Sequence, residues 1–222
     1  MSGVEDALRA LAGWMNPPKE EKPVEYDEDQ VIGFYPRQKY LDNNWAPESR
    51  LSSHELTAIA QARKLAETTG VLTPEQGEKL LPIAMVENWG LGMGIKDTNN
   101  FYASQRFRKD MERLGLEVGK DLMPSYIKGE LHYAPNVTDA NGPRLAALIL
   151  AEKSKLKGVN SLDDAIRRYN GKGKATEHYY GTAVPANVEE YLRKVNEAHT
   201  MLAHPKNEPF TTHYNTAYKN AR

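Results

Sequence analysis

Apolar residues recur along much of this chain at intervals of three and four, a spacing that predicts a succession of helices. Val4, Leu8, Leu11 and Met15 predict a short amphipathic helix over 3–15, stopped by Asn16-Pro17-Pro18. From residue 51 the pattern becomes regular. Ser52 and Glu55 read as a capping box for a helix that runs to Gly70 and buries Leu56, Ile59, Ala60 and Leu65. Thr73-Pro74-Glu75-Gln76 starts a second helix carrying Leu80, Ile83, Ala84 and Glu87, which Pro82 is expected either to kink or to restart. A third helix is predicted at about 103–114, with Phe107, Met111 and Leu114 aligned. Gly142-Pro143 opens a fourth, through Leu145, Leu148, Ile149 and Leu156 to near Gly158. Ser161 and Asp164 introduce a short helix with Ala165, Ile166 and Tyr169. The last, about 185–204, carries Val188, Tyr191, Leu192, Val195, Ala198 and Leu202 on one stripe. No segment shows a clear period of two, and a small hairpin between 90 and 102 is left open.

The intervals between these helices divide the chain. Residues 17–30 are rich in Pro, Glu, Lys and Asp and read as a solvated linker. Phe34, Tyr35, Tyr40 and Trp45 follow without a period, so this stretch either straps onto the domain or docks on another chain. Residues 205–222 have turn composition and predict a tail along the surface. The expected architecture is mainly α: an extended N-terminal arm (1–50), a helical domain (51–204) and an irregular C-terminal tail (205–222).

Composition narrows the chemistry. The 222 residues hold 29 basic and 30 acidic side chains, a net charge of −1, which offers no general attraction to nucleic acid or anionic membranes. There is no cysteine, so disulfides, thiolate zinc sites and cysteine nucleophiles are excluded. No apolar run reaches the ~18 residues that predict a membrane span, and the first residues lack the basic and apolar regions of a signal peptide. The six histidines show no metal-ligand spacing, and neither a metal nor a cofactor is expected. Gly171-Lys172-Gly173-Lys174 lacks the spacing of a phosphate loop. The basic cluster Arg106, Arg108, Lys109 and Arg113 reads as a solvated helix face.

One carboxylate stands out. Leu80, Ile83, Ala84 and Glu87 share one side of a helix, so Glu87 ends a buried stripe. Lost hydration there favours the protonated form, which can donate a proton to a glycosidic oxygen. Asn88-Trp89-Gly90-Leu91-Gly92-Met93-Gly94 follows, with glycines that admit a substrate to the backbone and Trp89 as a flat surface for a sugar. An arbitrary Glu at a helix end most often turns into solvent, so position alone does not decide.

Two separated stretches add weight. Ile83-Ala84-Met85-Val86-Glu87-Asn88-Trp89-Gly90 resembles the catalytic helix of lysozyme-like peptidoglycan hydrolases, and Asn99-Asn100-Phe101, followed by Tyr102, is similar to an Asn-Asn-aromatic element of bacterial glucosaminidases. Ala165-Ile166-Arg167-Arg168-Tyr169-Asn170-Gly171 resembles the Ala-x-x-x-Tyr-Asn-Gly segment of soluble-type lytic transglycosylases, in which a Tyr-x-x-x-Val helix follows, as Tyr191 to Val195 does here. The likeness spans roughly 73–200. Asn88 stands where that family has Ser, and its Gly-Leu-Met-Gln element has no clear counterpart.

The resemblance implies a lysozyme-like domain that cleaves peptidoglycan between N-acetylmuramic acid and N-acetylglucosamine. Glu87 would be the acid/base, Tyr169 and Asn170 would line the site near the cleaved bond, and Trp89, Asn99, Asn100 and Tyr102 would contact substrate. A transglycosylase needs only that one Glu. A muramidase or glucosaminidase would need water activation or a second carboxylate, for which Asp97 is the nearest candidate, against its reading as a turn residue before Asn99-Asn100. Without a signal, and with an arm suited to docking, the expected setting is a phage virion or tail. The protein would be made in the host cytoplasm, act in the cell wall, and hold other virion proteins through the arm. A non-catalytic structural virion protein on the same domain is the alternative from another class.

Overall fold

The computed structural model describes residues 31–33, 50–87, 105–127, 130–138, 140–170 and 188–221. In chain order the elements are strands β1 (Val31–Gly33) and β2 (Arg50–Ser52), helices α1 (Ser53–Thr68), α2 (Pro74–Gly77), α3 (Leu80–Val86) and α4 (Gln105–Arg113), strands β3 (Leu122–Ile127) and β4 (Glu130–Pro135), then helices α5 (Gly142–Ser154), α6 (Leu162–Asn170) and α7 (Val188–Leu202), a 3₁₀ turn at Pro205–Asn207, and α8 (Glu208–Asn220). Among the described residues the molecule is mainly helical. No helix there is long and apolar enough to cross a membrane.

Capping chemistry starts the helices where the sequence places them. Ser52 Oγ accepts from the Glu55 amide at 3.1 Å, while the Glu55 carboxylate accepts from the Ser52 amide at 2.7 Å. This reciprocal pair satisfies two of the four donors a helix start leaves free. Gly70, at φ +71°, adopts the left-handed conformation that closes the other end of α1. Thr73 and Gln76 repeat the capping box on α2. That helix lasts one turn, and a fresh one begins at Leu80, so Pro82 restarts the helix and does not kink a continuous one. In a first turn its missing N–H costs nothing, because that donor has no partner within the helix.

The centre of the fold is α5. Its side chains from Leu145 to Glu152 are all buried, and α1, α3, α4 and α6 pack around it. A helix apolar on every side must be enclosed by others. Arg144, only partly buried in its first turn, donates to the carbonyls of Leu114 and Gly115, each at 3.1 Å, capping the end of α4. The basic cluster on α4 is more than a solvated face. Arg106 grips the buried Glu152 through Nε at 3.2 Å and an NH2 at 2.8 Å, and Asp110 is held by Arg113 at 3.0 Å and by Lys155 at 2.8 Å.

Two expectations are corrected. The segment after residue 204 is no irregular tail. Glu208–Asn220 forms a helix lying against α1. Phe210 and Tyr214 are buried, with Ala217 and Tyr218 packed beside them, an i, i+4, i+7, i+8 stripe hidden in a stretch of Thr, Asn and His. The buried Asn207 donates to the Met201 carbonyl at 2.8 Å and ties the turn down, and His213 Nε2 meets the Ser53 carbonyl at 3.1 Å.

The second correction concerns residues 122–135, where no strands were expected. β3 and β4 form an antiparallel hairpin, with Leu122 opposite Pro135 and Tyr126 opposite Leu131. Leu122 is buried at its root, whereas Met123, Tyr126 and Leu131 are exposed, so no polar–apolar alternation marks it. Buried Asp121 fastens the root by accepting from the Glu117 amide at 2.8 Å and Asn141 Nδ2 at 2.7 Å. In the arm, β1 pairs antiparallel with β2, Val31 opposite Ser52. The predicted helix at 3–15, the linker, the aromatics at 34–45 and any hairpin between 90 and 102 lie outside the described residues.

Candidate active site

Glu87 follows directly on the last residue of α3, its amide donating to the Ile83 carbonyl at 2.9 Å. Leu80 to Met85 are buried, and Glu87 is half-buried where that apolar stripe runs out. A helix C-terminus is an unfavourable place for negative charge, since the last carbonyls already present partial negative charge.

Helices α3 and α7 pack antiparallel. Glu87, at the end of α3, meets Tyr191 in the first turn of α7, while Lys79, just before α3, donates to Asn196 Oδ1 further along α7 at 3.1 Å. Helix α6 packs against α7 in turn and brings Tyr169 to the same place. The rings of Tyr169 and Tyr191 lie nearly parallel, 12° apart with centroids at 6.5 Å, an offset stack. Three side chains from three helices, more than 100 residues apart at the extremes, therefore converge.

The electrostatics follow from that enclosure. Burial raises the Glu87 carboxyl above the ordinary range, and the neighbouring Tyr191 hydroxyl pulls it partly back. Burial and the Glu87 charge both push the Tyr169 and Tyr191 hydroxyls up, so both phenols stay neutral. Tyr169 keeps part of its surface accessible while its hydroxyl end is deeply enclosed. The Tyr191 hydroxyl is buried and has no hydrogen-bond partner of ordinary geometry among the described residues. Its pull on Glu87 is accordingly that of a close but imperfectly aligned donor.

Of the residues anticipated from sequence, Glu87 and Tyr169 come together. Asn170 is exposed at the end of α6. Trp89, Asp97, Asn99, Asn100 and Tyr102 lie outside the described residues. Tyr191 is the member that sequence reasoning did not assign to the site. Its signal was a phenol set inside the apolar stripe of α7, where a buried hydroxyl asks for a polar neighbour. Among the described residues no three His, Asp or Glu side chains group as metal ligands would.

No protein-family model, curated protein or solved structure matches the chain. What the site can do therefore rests on its own chemistry. It holds a carboxyl whose pKa burial raises, a tyrosine hydroxyl beside it, and a pair of stacked aromatic rings.

Proposed function

We propose that this protein cleaves the glycan strands of peptidoglycan, between N-acetylmuramic acid and N-acetylglucosamine, by lytic-transglycosylase-like chemistry on a lysozyme-like helical domain. The observation that carries the reading is the half-buried Glu87 carboxyl, biased toward its protonated form and flanked by Tyr169 and Tyr191 from two distant helices. A general acid for glycosidic cleavage needs such a bias near neutral pH.

In this reading protonated Glu87 gives its proton to the departing glycosidic oxygen as the bond to the sugar's anomeric carbon breaks. The resulting carboxylate then takes the proton of that sugar's own 6-hydroxyl, whose oxygen closes on the anomeric carbon to form a 1,6-anhydro ring. One carboxyl serves both steps, which suits a site where Glu87 is the one acid near the two phenols among the described residues. The Tyr191 hydroxyl, close to Glu87 and buried, would align with the carboxylate once it forms and hold it for the second transfer. Asn170, exposed at the end of α6, would in this reading contact substrate. Delivery by a phage particle, with residues 1–50 docking on other virion proteins, belongs to the same proposal.

Purified peptidoglycan in a zymogram gel tests it. Wild-type protein should clear the gel and Glu87→Gln, which keeps shape but cannot cycle a proton, should not. Equal clearing by both would refute the role of Glu87.

A further inference from the structure

Helices α6 and α7 pack against each other, and their buried side chains are mostly apolar, among them Ala165 and Ile166 on one and Val188, Leu192 and Val195 on the other. Apolar contact of this kind is non-directional. Packing of side-chain ridges into grooves selects a crossing angle only to within about 15–20°, whereas the offset stack of Tyr169 on Tyr191 corresponds to one particular rotation.

A directional contact lies on the flank. Arg167, two residues before Tyr169, reaches Glu189, two residues before Tyr191, through Nε at 2.8 Å and an NH2 at 3.2 Å. The remaining guanidinium arm donates to Asp164 at 3.1 Å, one turn back on its own helix. This is the two-point, planar geometry that fixes angle as well as distance. Both ends also sit where the helix dipoles favour them, Arg167 in the last turn of α6 and Glu189 in the first turn of α7.

We propose that Arg167 is a positioning residue, its two-point grip on Glu189 setting the helix register that stacks Tyr169 on Tyr191 beside Glu87. The catalytic part of this inference rests on the reading of Glu87 as acid/base; the geometric part does not. An exposed pair adds little to stability. Its effect lies in alignment, where a displacement of ~1 Å at a reacting group can cost on the order of a hundredfold in rate.

The test uses full-length protein carrying Arg167→Ala, Arg167→Lys, Glu189→Gln, or Arg167→Ala together with Glu189→Gln. Near-ultraviolet circular dichroism reads the tyrosine pair, the relevant part being the signal that Tyr191→Phe removes. Arg167→Ala and Glu189→Gln should each lose most of that part and Arg167→Lys about half, and the double variant should lose no more than either single one. On soluble glycan strands Arg167→Ala should lower kcat about tenfold with KM changed less than about twofold. Retention of the tyrosine signal in Arg167→Ala, or additive losses in the double variant, would overturn the inference. If Glu87→Gln proved fully active, the functional reading would fail while the dichroism result still decided the role of Arg167.

Discussion

Removing Arg106 should cost this protein far more than neutralising the acid it binds. Glu152 lies in the central helix with only 1% of its side chain exposed, and Arg106 supplies two of its contacts from α4 while remaining 50% exposed itself. In Arg106→Ala the carboxylate keeps, among the described residues, only Lys155, at 3.8 Å and already engaged at 2.8 Å with Asp110. Stranding a buried charge typically costs 3–5 kcal/mol, and the residual lysine sets the expectation at the lower end, about 3 kcal/mol. Glu152→Met is different. It removes the charge and its desolvation together, fills similar volume, and leaves an arginine that can extend into water, so about 1 kcal/mol or less is expected. The double variant should recover about 2 kcal/mol of the Arg106→Ala loss, a coupling that a double-mutant cycle resolves. Urea unfolding followed by far-ultraviolet circular dichroism measures all three, against a total stability of about 5–15 kcal/mol for an ordinary domain. A loss in Glu152→Met equal to or greater than that in Arg106→Ala would refute the reasoning, because the arginine, not the buried acid, would then be the replaceable partner.

Phe210 is fully buried between α8 and α1, so Phe210→Ala should cost about 3–5 kcal/mol in urea unfolding, whereas a true surface tail would lose almost nothing. Burial raises the Glu87 carboxyl, so the folded state binds its proton more tightly than the unfolded chain does, and Glu87 lowers stability as pH climbs from the ordinary carboxylate range through its raised value. Thermal melts should therefore find Glu87→Gln more stable than wild type at neutral pH, with the gain vanishing below the ordinary carboxylate range; an unchanged gain at acid pH would count against burial as the cause. Ser52→Ala removes one side of the α1 capping box and should cost about 1 kcal/mol, read in the same melts.

How far the fold was legible depended on how locally each element is specified. Helices α1, α5 and α7 carry their own caps or unbroken apolar stripes, and they lie where those signals put them. Helix α8 was missed because Thr211, Thr212, Asn215 and Thr216 favour turns, and only the stripe of Phe210, Tyr214, Ala217 and Tyr218 on α1 overrides them. The β3–β4 hairpin escaped notice because it protrudes with apolar side chains exposed and takes its support from the Asp121–Asn141 contact at its root, a pairing with no periodicity to read. At the site, Glu87 was legible from its stripe. The meeting of Tyr169 with Tyr191 depends on how α6 and α7 turn toward each other, which helical spacing does not encode.

In the proposed reaction a single half-buried glutamate carries both proton transfers of glycan cleavage, and the fragments released from purified peptidoglycan bear its mark. Mass spectrometry of those fragments should find muropeptides ending in 1,6-anhydro-N-acetylmuramic acid with the wild-type protein and none with Glu87→Gln. Release of the same fragments by the variant at a comparable rate, or of reducing ends alone by the wild type, would rule that chemistry out.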